Sequence, residues 1–329
     1  MVDFKVFKGS KEGKIVEGTS HKEIGPKEVL LKVTHSGLCG TDIHYKGADM
    51  VLGHEGVGIV EEVGSNVTMF KKGDRAGWGY EHDSCGHCKQ CLRGTETLCP
   101  QRKMYGDADL DQGSMGSHAV WKEDFLFQVP ENMKSEDAAP LMCGGATVFN
   151  AMQQYGIKST DRVGIIGVGG LGHLAIQFAS RMGCQVVVFS GTDSKKDEAM
   201  KLGATEFYAT KDVSELKLDE PIDHLLVTTA QQPNWNMYFP VMAAGGTIFP
   251  LTVSPDDLKM PYMPIILKAL KVQGSLVAAR QIHREMLEFA AKHDIRPIIQ
   301  TFPMTLDGVN KAFETLENGQ MRYRGVLVA

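Results

Sequence analysis

Up to about residue 140 the chain sets short apolar, β-branched runs between glycines. Val29-Leu30-Leu31-Lys32-Val33 and Gly56-Val57-Gly58-Ile59-Val60-Glu61-Glu62-Val63 are typical. Short strands broken by turn residues predict an antiparallel, barrel-like β domain. Near Arg162 the texture changes. Apolar strands are expected at 163–166, 186–189, 224–227, 246–249 and 270–273, with helical patterns such as 173–181 and 195–202 set among them. That alternation predicts a parallel sheet with crossover helices. A helix over 284–292 and short closing strands complete the chain. The predicted fold class is two-domain α/β, with 1–145 and 280–329 in one domain and 146–279 in the other. No internal repeat or low-complexity tract interrupts it.

Composition changes this picture little. The chain has 329 residues, 43% hydrophobic and 23% charged, enough for two cores. A formal net charge of -5, with both signs interspersed, argues against a nucleic-acid partner. Met1-Val2-Asp3-Phe4-Lys5 does not read as the start of a secretory signal, and no stretch reads as a membrane span, so a cytoplasmic location is expected.

The seven cysteines are more informative. In a reducing compartment, clustered cysteines point to metal or catalysis rather than disulfides. Cys85, Cys88, Cys91 and Cys99 can wrap one zinc tetrahedrally and close its shell, which predicts a structural site. Lys89, Arg93, Arg102 and Lys103 could offset its charge. Cys39, within Gly37-Leu38-Cys39-Gly40-Thr41-Asp42-Ile43-His44, and His54, within Gly53-His54-Glu55-Gly56, have unusual neighbours. So does Cys143, within Leu141-Met142-Cys143-Gly144-Gly145. Each singly could be an ordinary buried residue.

Gly167-Val168-Gly169-Gly170-Leu171-Gly172 lies between an expected strand and an expected helix. In that context the glycines permit a tight turn and close approach of a dinucleotide pyrophosphate to the helix N-terminus. The strand-end position is Ser190, too small and neutral to repel a phosphate, while Thr192 and Lys195 could bond and neutralise one. NADP(H) is therefore favoured over NAD(H). In another loop register Asp193 would serve NAD, with Lys195 and Lys196 as a solvated first turn.

Cys39-Gly40-Thr41-Asp42, Gly53-His54-Glu55 and the four-cysteine spacing resemble the zinc-containing medium-chain dehydrogenase/reductase family, in the same order and over nearly the whole chain. Ser84-Cys85-Gly86-His87-Cys88, Glu285-Met286-Leu287-Glu288-Phe289-Ala290 and Arg322-Tyr323-Arg324 are similar to its cinnamyl-alcohol-dehydrogenase-like branch. The resemblance implies a GroES-like β-barrel catalytic domain and a Rossmann doubly wound parallel sheet. It implies a catalytic Zn²⁺ on Cys39, His54 and Cys143, hence two zinc ions per chain. Two thiolates and an imidazole would leave that zinc a neutral, open Lewis acid. Asp42 is then expected to orient His54, and Glu55 to sit beside the metal. Thr41 and His44 match a proton relay, and Arg324 a pyrophosphate contact. Cys184 is left as a packing residue.

The implied activity is an alcohol dehydrogenase or aldehyde reductase acting on primary alcohols and aldehydes, aromatic or varied, as a homodimer through an edge strand near 270–274. Cys39 and His54 are only fifteen apart, fewer than the family usually has, and the proline often found before Gly-His-Glu is missing. A more open pocket is expected on that side, with Trp78, Trp121 and Met142 as candidate pocket residues. The alternatives are a polyol dehydrogenase, an imine or enone reductase on the same scaffold, and a catalytically dead zinc-stabilised binding protein.

Overall fold

The computed structural model describes residues 1–329. They divide into two compact units, 1–146 with 277–329, and 147–276. In the first, β1 (Val2–Lys8) and β2 (Val16–Lys22) form an antiparallel hairpin. Strands β3 (Glu28–Leu38), β4 (Gly56–Val63) and β5 (Arg75–Trp78) form the middle of a seven-stranded sheet. A small separate pair joins β6 (Glu81–Asp83) to β7 (Lys103–Met104). Strands β8 (His118–Lys122) and β9 (Phe127–Gln128) then return to the larger sheet, on β3 and β5 respectively.

Both faces of β3 are covered. Val29, Leu31 and Val33 pack with Trp78 and Trp121, while Leu30 packs on the other side with Phe4, Val6 and Val120. A strand buried on two faces reads as a nearly continuous apolar run, which is what residues 29–33 present.

The second unit is a six-stranded, all-parallel sheet. Its strands are β10 (Arg162–Ile166), β11 (Gln185–Ser190), β12 (Glu206–Ala209), β13 (Ile222–Val227), β14 (Met242–Pro250) and β15 (Lys271–Val272). The spatial order β12-β11-β10-β13-β14-β15 is that of a Rossmann doubly wound sheet, with the order reversing beside β10. Helices Gly172–Arg181 and Lys196–Leu202 follow β10 and β11. A 3₁₀ turn over Asp193–Lys195 takes up the first residue of the expected second helix.

The chain then rejoins the first unit. Helix Arg280–Lys292 begins earlier than the expected 284. Strands β16 (Ile299–Pro303) and β17 (Arg324–Val328) close the seven-stranded sheet, β17 against β3. Helix Leu306–Glu317, between them, is absent from the sequence expectation. Thr305 caps it by accepting the Gly308 N–H at 3.2 Å. Its Val309, Ala312 and Phe313 pack with Leu38, Leu52 and Leu327, an i, i+3, i+4 stripe. No helix is long and apolar enough to cross a membrane.

Candidate metal centres and nucleotide loop

Cys39 ends β3's run and precedes the short helix Gly40–Tyr45, so its side chain projects from a strand-to-helix corner. His54 and Glu55 immediately precede β4. Cys143 lies in a π-helical turn, Leu141–Gly145, which follows the helix Ser135–Pro140. Pro140 has no N–H to continue the regular ladder, and widened turns of this kind often mark functional positions. The fold gathers one ligand atom each from Cys39, His54, Glu55 and Cys143 within 4.8 Å of one another.

Asp42 organises the surroundings. Its Oδ1 faces His54 Nδ1 at 3.1 Å and accepts the Tyr105 hydroxyl at 2.8 Å and the Gly53 N–H at 3.2 Å. Its Oδ2 accepts the Cys39 N–H at 2.9 Å. His54 is thereby turned so that Nε2 faces the sulfurs, buried and without a hydrogen-bond partner. Burial opposes charge on His54, but Asp42 and Cys39 outweigh it and hold the imidazole well above its ordinary value. A hydrogen bond between the two sulfurs holds Cys39 well below the usual thiol value and lifts Cys143 well above it. Glu55 is ion-paired with Arg324, both buried. Burial pushes the Glu55 carboxyl up to about 7 against the pull of Arg324.

The residues present fit a metal. An unpartnered imidazole nitrogen and two thiol sulfurs converge in the interior, a donor set suited to zinc with a position left open. The second cluster fits as well. Cys85–Cys91, Cys88–Cys91 and Cys85–Cys99 sulfurs stand 3.9, 3.6 and 3.6 Å apart. A tetrahedron of zinc–sulfur bonds has edges of about 3.8 Å. The Cys88 and Gln101 N–H groups each point at a sulfur, those of Cys85 and Cys99, at 3.3 Å.

In the second unit, Gly167 follows β10 with φ 96, a conformation that favours glycine. A Cβ on Gly172 would overlap the Gly167 carbonyl, so strand and helix can meet this closely only without one. Nothing stands within 4 Å of where a Cβ on Gly169 would be, leaving that backbone open to a ligand. Gly170 and Leu171 complete the turn. Ser190 ends β11, and Thr192 Oγ1 lies 2.9 Å from Ser194 Oγ. Lys195 folds back so that Nζ donates to the Val168 carbonyl at 2.7 Å, placing its charge on the glycine loop.

Residues 25–131 match the family model described as alcohol dehydrogenase GroES-like domain, and 170–292 that of zinc-binding dehydrogenase. Cinnamyl alcohol dehydrogenase 8 of Arabidopsis thaliana is 35% identical over 327 residues, covering 94% of this chain and 89% of the relative. The chain belongs to the zinc-containing medium-chain alcohol dehydrogenase family. Another member, the NADP-dependent alcohol dehydrogenase C 1 of Mycolicibacterium smegmatis, is 32% identical, covering 94% of this chain and 92% of the relative. Among solved alcohol dehydrogenases, a cinnamyl alcohol dehydrogenase from Sorghum bicolor superposes with TM-score 0.92 at 32% identity, over 99% of this chain and 98% of that one. The Helicobacter pylori enzyme complexed with NADP(H) gives 0.90 at 28%, over the same shares. This alcohol dehydrogenase is thus an oxidoreductase of the two-domain family fold.

The geometry of this family member also corrects part of the sequence reading. Trp78 and Trp121 are 0% and 2% exposed, with ring centroids 5.6 Å apart in the core under β3; Trp121 also borders a polar cavity with His82, Asp83 and Asp109. Indole rings carry large apolar area, and the β core takes them first. Met142 is buried against Gly77 and Gly79 and borders a small cavity. Thr41 Oγ1 stands 3.7 Å from Cys39 Sγ, and His44 is exposed one helical turn on. The short segment after His44 is tied down by Lys46 on Glu317 at 2.9 Å and Asp49 on Lys8 at 2.7 Å. Cys184 is buried beside the Lys158 carbonyl. Sequence reasoning missed Tyr105 as a partner of Asp42 and Arg324 as a partner of Glu55. Nothing in the local sequence marks either contact.

Proposed function

We propose that the chain is a zinc-dependent alcohol dehydrogenase and aldehyde reductase that moves hydride between NADP(H) and primary alcohols or aldehydes, aromatic or varied in structure. The observation that carries this reading is the buried convergence of Cys39, His54 and Cys143, with His54 Nε2 left without a partner. Those three residues would hold the catalytic zinc, and Cys85, Cys88, Cys91 and Cys99 a structural one. When bound, the zinc supplies a Lewis acid to the alcohol or carbonyl oxygen, and the nicotinamide takes up or returns the hydride.

The chain's own residues do the rest. Asp42 fixes the ring orientation of His54, so that Nε2 stays turned to the two sulfurs. Thr41, beside Cys39, would take a proton from the reacting hydroxyl as it gives up its own, and exposed His44 would pass one to solvent. Arg324 neutralises Glu55, so the two thiolates remain the net charge that balances the metal. In the second unit the glycine loop receives the pyrophosphate, and Ser190, Thr192 and Lys195 favour the 2′-phosphate of NADP(H). Aldehyde reduction is the expected direction, and a homodimer the expected assembly.

The test is metal content per chain alongside NADPH and NADH oxidation with an aromatic aldehyde, for wild type and Cys143→Ala. Zinc falling from two per chain to one, with NADPH turnover lost and the fold kept, is the expected result. An equally active variant would overturn the catalytic assignment, and faster turnover with NADH would overturn the cofactor preference.

A further inference from the structure

Helix Arg280–Lys292 begins without a cap of its own. Ala279 stands at the N-cap position and offers no side-chain oxygen to the first free N–H groups. The acceptor comes from 184 residues away. Glu96 Oε1 takes the Arg280 backbone N–H at 2.6 Å and the Arg280 Nε–H at 3.0 Å. A carboxylate is favoured at a helix N-terminus, and its bonds to a guanidinium are among the stronger ones. Glu96 is 2% exposed, and the Arg280 guanidinium lies over the Phe125 ring at 4.8 Å.

Glu96 belongs to the four-cysteine lobe. It opens the 3₁₀ turn Glu96–Leu98, and its carbonyl accepts the Cys99 N–H at 2.8 Å. Cys99 is fully buried, with its sulfur 3.6 Å from that of Cys85. Where Cys99 sits therefore sets where the Glu96 carboxylate stands.

At the other end of the route is the π-helical turn Leu141–Gly145, which carries Cys143. The capped helix packs its buried face there. Met286 is fully buried, and a Cβ on Gly145 would come within 3.3 Å of its Sδ. One turn earlier, the His283 ring and the Met142 carbonyl close on the same residue, 3.2 and 2.5 Å from where a Cβ on Gly79 would be. A helix start that loses its cap frays over its first turn, which ends at His283, and close-packed interiors transmit such shifts.

We propose that Glu96 is a positioning residue that couples the two metal centres. An ordered four-cysteine lobe fixes Glu96, Glu96 fixes the start of the helix, and the helix fixes the turn that holds Cys143. This rests on the two-zinc reading above and adds a dependence of the catalytic site on the structural one.

The experiment follows release of zinc from the loaded enzyme to the coloured chelator pyridylazoresorcinol. The phase missing from Cys143→Ala belongs to the catalytic site, and the phase missing from Cys91→Ser to the four-cysteine lobe. The catalytic-site phase is expected to run about tenfold faster in Glu96→Leu and in Cys91→Ser than in wild type. Glu96→Gln, which keeps an oxygen for the Arg280 N–H, should change it less. The Glu96→Leu/Cys91→Ser double variant should be no faster than the faster single one, because both cut the same route. A lowered urea midpoint with an unchanged catalytic-site phase in Glu96→Leu would mean a merely structural Glu96 and overturns the proposal. Additive effects in the double variant overturn it too. If Glu96→Leu does not fold, Cys91→Ser decides, and an unchanged catalytic-site phase there overturns the proposal while leaving the two-zinc reading intact. A wild type that releases only one zinc overturns both.

Discussion

At the scale of single residues, the pairing of Glu55 with Arg324 decides the charge of the candidate metal centre. Their positions are 269 apart in sequence, and both side chains are buried. Arg324→Met would leave the buried Glu55 carboxyl without its partner and drive it to take up a proton, and leaving a buried polar group unpaired costs about 1–3 kcal/mol. Urea unfolding should register that loss, with much of it restored in the Glu55→Gln/Arg324→Met double variant; an unchanged midpoint would mean the pair is not formed. His283 gives a pH signature of its own. Burial pushes it from 6.5 to about 3, so on acidification below 6.5 only the unfolded chain gains its proton. Stability contributed by the neutral ring is full above 6.5 and declines by up to about 1.4 kcal/mol per pH unit below it. His283→Leu should flatten that dependence relative to wild type in denaturant titrations either side of pH 6.5. Parallel slopes would count against the depressed value.

At the scale of elements, the segment from Cys85 to Cys99 holds little regular structure: the four-residue helix Lys89–Leu92 and one 3₁₀ turn, Glu96–Leu98. Leu92 and Leu98 are exposed, so apolar burial contributes little to ordering it. A closed metal site is then expected to supply most of its order. Cys91→Ser should lower zinc content by one ion per chain and raise proteolytic nicking within this segment, while NADPH binding by the other unit persists. Resistance to nicking equal to wild type would show that the segment orders itself without metal. The glycine loop works differently, because strand, turn and helix are all locally encoded and Gly172 needs only to stay small.

For the whole molecule, the sheet of the second unit ends in β15, and the helix Tyr262–Leu267 presents Tyr262, Met263, Ile266 and Leu267 at 82%, 59%, 64% and 75% exposure. An open strand edge beside a run of exposed apolar side chains is a poor surface to leave in water. We expect a second copy of the chain to cover it. Sedimentation should give twice the 36.0 kDa chain mass, and Ile266→Glu should return the monomer. A wild-type monomer at micromolar concentration would refute this assembly.

What the sequence determined by itself were the features that depend on near neighbours. The short apolar, β-branched runs of β3 and β4, the strand–glycine–helix order around 167–172 and the four-cysteine spacing are readable because their physics is local. The family followed from such motifs standing in the right order. Tertiary structure decided what depends on burial and on distant partners. It placed Trp78 and Trp121 in the core, and it gave Asp42 a hydroxyl from Tyr105 and Glu55 a guanidinium from Arg324. It also left the Glu81 carboxyl and His283 Nε2 buried without hydrogen-bond partners. The helix Leu306–Glu317 escaped notice because its apolar stripe is narrow and gains its meaning only against Leu38 and Leu327. Solvent exclusion turns a carboxyl or an imidazole from an ordinary side chain into a chemical demand, and solvent exclusion is a property of the folded chain alone.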